Sequence, residues 1–257
     1  MRRAATAASA LAWTGPWRHL WRPLAKLLHP FGRLTLEVLL ERDLTRPVQR
    51  IKTDLDISIR LAGADDLDWI TALYARVPYL YLGDHPETGQ ADARPMTSCG
   101  SSVKIETSAR EQYASRFERG ERCFIASVAG EVAHVNWLCF HWGEAVPGHP
   151  IVLEEGEAYT TDAVTVAKFR GKNVHALVLG EMLRAAQQAG RLRALTATRA
   201  DRHASFNAFS QLGWRVCGQV LCLVPRGGGS PKLMKLSGDI APLLRGKTPA
   251  RSPSRGA

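Results

Sequence analysis

The chain has 257 residues, of which 45% are hydrophobic and 23% charged, so it is long enough for one large domain or two small ones with a real core. The ends carry its net charge of +10: residues 1–60 and 226–257 each have +6, whereas residues 61–225 have −2. A nucleic-acid-binding domain concentrates Lys and Arg on one folded face, so this distribution argues against specific nucleic-acid binding.

The first 30 residues read as a basic leader. Trp13, Trp17 and Trp21 recur at helical spacing beside Arg and Lys residues, a pattern that suits weak contact with a membrane surface. Pro16 and Pro23 interrupt this pattern, which favours a loosely docked leader.

A helix-period stripe of apolar residues follows over residues 31–46 and ends before Pro47. It predicts a helix, or a helix then a strand, leaning on the domain. The sequence therefore divides into a basic leader and N-terminal helix (1–50), a folded domain (51–225) and a flexible basic tail (226–257), which begins with a Gly-rich linker.

Within the domain, strands and helices alternate in a recognisable order. Strands are predicted at 57–61, 122–128, 132–142, 157–166, 192–198 and 214–224, and helices at 65–74, 107–119, 174–189 and 201–212. Residues 77–102 are rich in Pro, Gly, Asp and Ser and predict a long loop on the substrate side. Antiparallel strands followed by a strand–helix–strand crossover predict a mixed sheet with helices on both faces.

Cysteine usage indicates a reducing compartment, and hence the cytoplasm. The five cysteines are odd in number and match no zinc or redox spacing, so no metal site is predicted. Four of them lie inside apolar runs, as buried reduced thiols do.

The strongest chemical signal is the turn between the strand at 157–166 and the next helix. Arg170, Gly171 and Lys172 form the turn, and Asn173 leads into the helix at Val174. The first amides of a helix have no partners within it and carry the positive end of its dipole. This turn is therefore suited to a diphosphate, although an Arg-Gly-Lys turn taken alone is more typical of a solvated surface turn.

Taken with the element order, this turn resembles the acyl-CoA motif of the GNAT acyltransferase superfamily. The motif Gln/Arg-x-x-Gly-x-Gly/Ala falls on Arg170 to His175, and the later segment Ala208 to Trp214 is similar to the family's Leu-Tyr-x-Lys-Leu-Gly-Phe. The resemblance covers residues 56–224. It implies an α/β (α+β) fold with a mixed, mostly antiparallel sheet of six to seven strands flanked by helices on both faces.

The resemblance also implies direct transfer of an acetyl group from acetyl-CoA, a cosubstrate, to an amine of a small molecule or protein. The pantetheine arm would lie where the strands at 157–166 and 192–198 splay apart. The expected binding groups are the backbone of Val164, Thr165 and Val166 and the amides of Arg170, Gly171, Lys172, Asn173 and Val174.

Loss of a proton from the amine requires a general base. The candidates are Asp162 and Glu157 on the strand at 157–166 and His134 on its neighbour, with Tyr159 as a pocket residue or proton donor. Strict alternation puts Asp162 and Glu157 on opposite faces unless a bulge intervenes. Asp162, nearer the expected thioester position, is favoured.

Three positions depart from the family pattern. Asn173 replaces the first motif Gly, though Asn tolerates left-handed backbone. His175 replaces the second Gly/Ala and would swing aside, contact phosphate or remain a surface residue. Phe209 stands where many members of the family have a Tyr that can protonate the departing CoA thiolate.

These departures leave other functions open. One alternative is a catalytically weak CoA-binding or protein-interaction module, and another is a transferase for longer acyl-CoA or acyl carrier protein. The acceptor remains open, with an amino sugar as one guess, and a homodimer is compatible with the sequence.

Overall fold

The computed structural model describes residues 17–75, 109–146, 149–226 and 231–241. Its strands are β1 (Gly32–Asp43), β2 (Ile57–Leu61), β3 (Arg122–Val128), β4 (Glu131–Cys139), β5 (Trp142–Val146), β6 (His149–Val152), β7 (Glu157–Thr165), β8 (Arg193–Arg199), β9 (Arg215–Pro225) and β10 (Lys232–Gly238). Its α-helices are α1 (Trp17–Leu28), α2 (Leu67–Ala75), α3 (Ala109–Glu118), α4 (Val174–Gln188) and α5 (His203–Gln211). The loop predicted at 77–102 lies outside the described residues.

Eight of these strands form one sheet, in the order β10-β9-β1-β8-β7-β4-β3-β2. All neighbours are antiparallel except β7 and β8, which are parallel and joined by the crossover helix α4. The mixed, mostly antiparallel sheet is confirmed, but it has eight strands rather than the six to seven expected. Strands β5 and β6 form a separate hairpin where the sequence predicted one long strand and a loop.

The helix predicted over residues 31–46 is wrong. Residues 32–43 instead form β1, which pairs with β8 on one side and β9 on the other. Val38 and Leu40 face one side of the sheet and Leu39 the other, and all three are buried. A strand buried on both faces reads as a continuous apolar run, and within such a run a helical stripe arises by coincidence.

The division of the chain at residues 50 and 226 does not match the sheet. Strand β1, assigned to the leader, lies between β8 and β9. Strand β10, assigned to a flexible tail, pairs with β9 and forms one edge of the sheet. Helix α1 also continues through Pro23, where the sequence predicted an interruption.

The two faces of the sheet bury separate clusters. On the first face, α1, α4 and α5 cover an apolar cluster that includes Val38, Phe206 and Phe209. On the second face, α2 and α3 cover Trp137 and Val164, and the β5–β6 hairpin covers Tyr159. The prediction of helices on both faces is confirmed. None of the described helices has the length and apolar character needed to cross a membrane.

Candidate functional site

The parallel pair β7–β8 opens along its length. Cα pairing runs only from Glu157 opposite Arg193 to Tyr159 opposite Leu195. At the next position the Thr196 hydroxyl donates to the Thr160 carbonyl at 2.8 Å in place of a backbone bond. Beyond this point β7 pairs only with β4 and β8 only with β1, so a gap opens toward the ends of both strands. The predicted splay between the strands is confirmed.

Helix α4 begins just past the open end of β7. Gly171 and Asn173 both adopt left-handed backbone, with φ values of 75° and 61°. Asn173 therefore adopts the left-handed backbone that the sequence led us to expect it to tolerate. Within the described part of the chain, no backbone carbonyl accepts a hydrogen bond from the N–H groups of residues 171–174. The helix start offers free donors.

Basic side chains surround this helix start. Arg170 and Lys172 are exposed, and Lys172 Nζ lies 5.6 Å from the centre of the Phe169 ring. Arg170 Nε donates to the Thr165 carbonyl at 3.2 Å, which ties the turn to the end of β7. Lys168 is paired with Glu131. Two cations and a helix dipole therefore meet at one exposed turn.

The backbone N–H and C=O groups near the end of β7 point alternately toward β4 and toward the gap. The Val166 N–H donates to the Ala133 carbonyl at 2.9 Å, toward β4. Backbone groups of alternate residues point the same way, so Val164 also faces β4 and Thr165 faces the gap. Of the three residues predicted to hold a pantetheine arm, only Thr165 directs its backbone groups toward the gap.

An aromatic stack lies on the first face beside the gap. The rings of His134 and His175 are stacked with centroids 5.1 Å apart, and His175 meets Phe209 edge-on at 5.8 Å. His134 Nδ1 lies 2.7 Å from the Thr165 hydroxyl oxygen. The stack thus links the β7 side of the gap to α5, which follows β8. The ring of His175 is packed in this stack, although the residue stays partly exposed.

Burial keeps both histidines neutral. The pKa of His134 is held well below its ordinary value by burial and by the neighbouring His175. Burial lowers the pKa of His175 to about 4. Among the described residues, His134 Nε2 is also a buried polar atom without a hydrogen-bond partner.

This neutral pair makes stability depend on pH. An unfolded His175 takes up a proton near its ordinary pKa of 6.5, whereas the folded form does so only near 4. Through His175 alone, the free energy of unfolding therefore falls as pH drops through this window, by about 2 kcal/mol between pH 7 and pH 5, and the buried His134 adds a fall of its own. Urea denaturation at both pH values should show that His175→Phe reduces the wild-type fall by about 2 kcal/mol and that the exposed-site variant His203→Phe does not. An unchanged fall in His175→Phe would contradict this assignment.

Asp162 lies at a β-bulge in β7. Residues 162 and 163 oppose the single Asn136 on β4, and Asp162 has a left-handed φ of 54°. The bulge directs its carboxylate to the second face, where Arg116 Nη1 donates to Oδ2 at 2.5 Å. Arg116 is buried, stacks on Trp137 and also pairs with Glu121. No donor among the described residues contacts the other oxygen, Oδ1, and the side chain is 21% exposed.

Glu157 holds the closed end of the strand pair, and Tyr159 reaches across to β8 just beyond it. Glu157 is buried, with Oε1 paired to Arg193 at 3.1 Å and Oε2 accepting from the Glu154 N–H at 3.0 Å. Tyr159 is 2% exposed, and its hydroxyl is hydrogen-bonded to the backbone of Ala197. Burial raises the pKa of this hydroxyl well above its ordinary value. The roles predicted for them as base or proton donor therefore fit poorly.

Two residues of the site were not predicted from the sequence. Arg116 precedes Asp162 by 46 positions on a separate helix, and no local pattern links them. Thr196 could have been noticed as a polar residue inside a buried strand. Across the described ranges, no group of three or more His, Cys, Asp or Glu side chains is placed to hold a metal ion.

No protein-family model matches the chain, and no curated protein matches its sequence. Solved structures do resemble it. A GCN5-related N-acetyltransferase from Sphaerobacter thermophilus has a TM-score of 0.50 at 11% identity, covering 84% of this chain and 57% of its own. A GNAT-family acetyltransferase from Colwellia psychrerythraea has a TM-score of 0.48 at 14% identity, covering 76% and 58%.

A third structure, the putative acetyltransferase yncA from Salmonella typhimurium with its cofactor acetyl-CoA, has a TM-score of 0.45 at 16% identity, covering 72% and 97%. This chain spans less than three fifths of the length of the Sphaerobacter and Colwellia proteins. The sheet order, the single parallel pair and the Sphaerobacter likeness agree on one architecture. The chain has the GNAT fold.

Proposed function

We propose that the chain is an acyl-CoA-dependent N-acyltransferase that moves an acetyl group from acetyl-CoA to an amine. The observation that carries this proposal is the meeting of the β7–β8 gap with the free amides at the start of α4. Acetyl-CoA combines a diphosphate, which suits the free amides, with a long and narrow pantetheine arm, which suits the gap.

The helix start fits a diphosphate in charge and in space. Arg170 and Lys172 supply two positive charges, and the N–H groups of residues 171–174 supply donors without backbone partners. A side chain built at Gly171 would meet nothing within 4 Å, so the turn opens onto free space. Helix starts of this kind bind phosphate groups through their free N–H donors and through the positive end of the helix dipole.

The gap fits the rest of the cosubstrate. The Thr165 N–H is directed into it, while the Thr165 carbonyl accepts from Arg170 Nε. When bound, acetyl-CoA supplies the activated acyl group. Preorganised backbone donors at such a position stabilise the negative charge that develops on an acyl oxygen.

The chain must also remove a proton from the amine, and Asp162 is the best placed of the predicted bases. Arg116 fixes its Oδ2 and leaves Oδ1 without a donor among the described residues. Glu157 has both oxygens engaged. We assign Asp162 one of two roles: it accepts the proton directly, or it binds the protonated amine until the amine loses that proton.

The variant Asp162→Asn tests this assignment. Asn accepts the same left-handed backbone, so the fold should survive while the charge is lost. We expect kcat/KM to fall by about 100-fold or more with acetyl-CoA affinity unchanged, since general bases contribute on this scale. Asp68→Asn removes an exposed carboxylate that is also paired with an arginine of α3, and is the control. Equal activity in both variants would contradict the assignment.

The proposed activity is tested by thiol release from acetyl-CoA over a panel of amino sugars, polyamines, amino acids and peptides. Release that depends on both the amine and Asp162 supports the proposal. A second function, CoA binding without turnover, is favoured by Phe209, which packs against His175 and has no hydroxyl to protonate a departing CoA thiolate. Binding by calorimetry with no release over the whole panel would support that alternative.

A further inference from the structure

Helix α1 exposes an apolar stripe that nothing in the described structure covers. Leu20, Leu24 and Leu27 are 58%, 37% and 71% exposed, and Phe31, just past the helix end, is 71% exposed. Their spacings of four, three and four place them on one side of the helix. Ala25 and Leu28 contact the first-face cluster instead. Helix α1 therefore docks on the sheet with one side and presents a second apolar side outward.

The charge of this region narrows the choice of partner. Residues 1–36 contain six Lys or Arg and no Asp or Glu. Lys26 on α1 is exposed, as are Arg226 and Lys232. The Arg226 N–H donates to the Phe31 carbonyl at 3.1 Å, so this second basic segment begins beside the end of the stripe. The apolar stripe is thus bordered by positive charge from two parts of the chain.

This combination fits an anionic lipid surface better than a protein. A second copy of the chain would bring the same positive charges together, which opposes self-association. An acidic protein surface would satisfy the cations without using the leucines. An anionic bilayer satisfies both, because an apolar helix side enters the acyl boundary while Lys and Arg contact the headgroups.

We propose that α1 binds the surface of an anionic membrane, lying in its plane with Leu20, Leu24, Leu27 and Phe31 toward the lipid. The 12 residues over which the structure describes this helix are fewer than the roughly 20 that a membrane-spanning helix needs. The proposal goes beyond the acyltransferase assignment and does not depend on it, since no residue of the acyl site takes part.

Flotation of the full-length protein with lipid vesicles tests the proposal. Point variants are required because deletion of residues 1–50 would remove β1. We expect the protein to float with vesicles containing phosphatidylserine and not with phosphatidylcholine alone, and high salt should weaken binding. The double variant Leu20→Glu/Leu27→Glu should lower the bound fraction at least tenfold. The binding free energy lost in a tenfold change is smaller than the usual contribution of one fully buried leucine side chain. Leu61→Glu/Leu192→Glu, which alters two exposed leucines elsewhere, should float like wild type.

Circular dichroism and melting temperature check that each variant is folded. The variant Lys26→Glu supplies a second test through charge alone, and it should also weaken binding to the vesicles. The proposal is overturned if wild type floats with neither vesicle or equally with both, or if folded Leu20→Glu/Leu27→Glu floats as well as wild type. A wild-type dimer in light scattering that this variant dissociates, without vesicle binding, would assign the stripe to a second copy instead.

Discussion

Replacing Gly171 with Glu is expected to raise the Kd for acetyl-CoA by about 100-fold or more. The new carboxylate would lie at the start of α4, where the diphosphate is proposed to bind, and like charges placed together cost several kcal/mol. A tenfold loss corresponds to about 1.4 kcal/mol, so 100-fold is the lower end of this range. Calorimetric titration with acetyl-CoA measures the change.

Gly190→Glu is the matched control. Gly190 has a left-handed φ of 73°, close to the 75° of Gly171, and neither has an atom within 4 Å of an added Cβ. Both variants therefore carry similar backbone strain, of about 1–2 kcal/mol. Because Gly190 follows the opposite end of the same helix, acetyl-CoA should bind this variant like wild type. Equal affinities in the two variants would remove the helix start from the binding site.

Replacing Arg116 with Met is expected to lower the free energy of unfolding by about 3–5 kcal/mol, the usual effect of breaking a buried ion pair from one side. Arg116 is 8% exposed and contacts both Glu121 and Asp162, so its loss leaves a buried carboxylate without this partner. The melting temperature should fall by roughly 6–20 °C. Calorimetry or urea denaturation measures the loss.

Arg110→Met provides the comparison on the same helix. Arg110 pairs with Asp68, but both side chains are more than half exposed. Exposed pairs contribute about 0–1 kcal/mol, so this variant should unfold close to wild type. A similarly small effect for Arg116→Met would show that the buried network does not organise the second face around Asp162.

The sequence predicted those parts of the fold that depend on local pattern. Helix α4 was located within one residue of its end, because its apolar stripe and following Gly are local signals. Strand β1 was missed because its position inside the sheet depends on pairing with β8 and β9, which lie more than 140 residues away. Strand β10 was missed because its alternation is weak and follows a Gly-rich linker.

The same limit applies to the candidate site. The turn from Arg170 to Asn173 could be predicted because its conformation is set by its own residues. The environment of Asp162 could not, because a bulge re-aims its side chain and Arg116 comes from another helix. Strict alternation along β7 would put Asp162 and Glu157 on opposite faces, and the bulge is the exception to that rule.

His175 lies at the position where the sequence motif predicted a small residue. Its ring packs on the first face between His134 and Phe209. The packing leaves the free amides at the start of α4 unobstructed by any backbone carbonyl. The proposed diphosphate site and the histidine stack are thus adjacent features.

Calorimetric comparison of acetyl-CoA with acetyl-pantetheine, which lacks the diphosphate and the phosphorylated adenosine attached to it, tests the central claim most directly. If the start of α4 holds the diphosphate, acetyl-CoA should bind at least about 100-fold more tightly, a difference near 2.7 kcal/mol. Equal affinities for the two ligands, or no binding of acetyl-CoA by the folded protein, would contradict the claim.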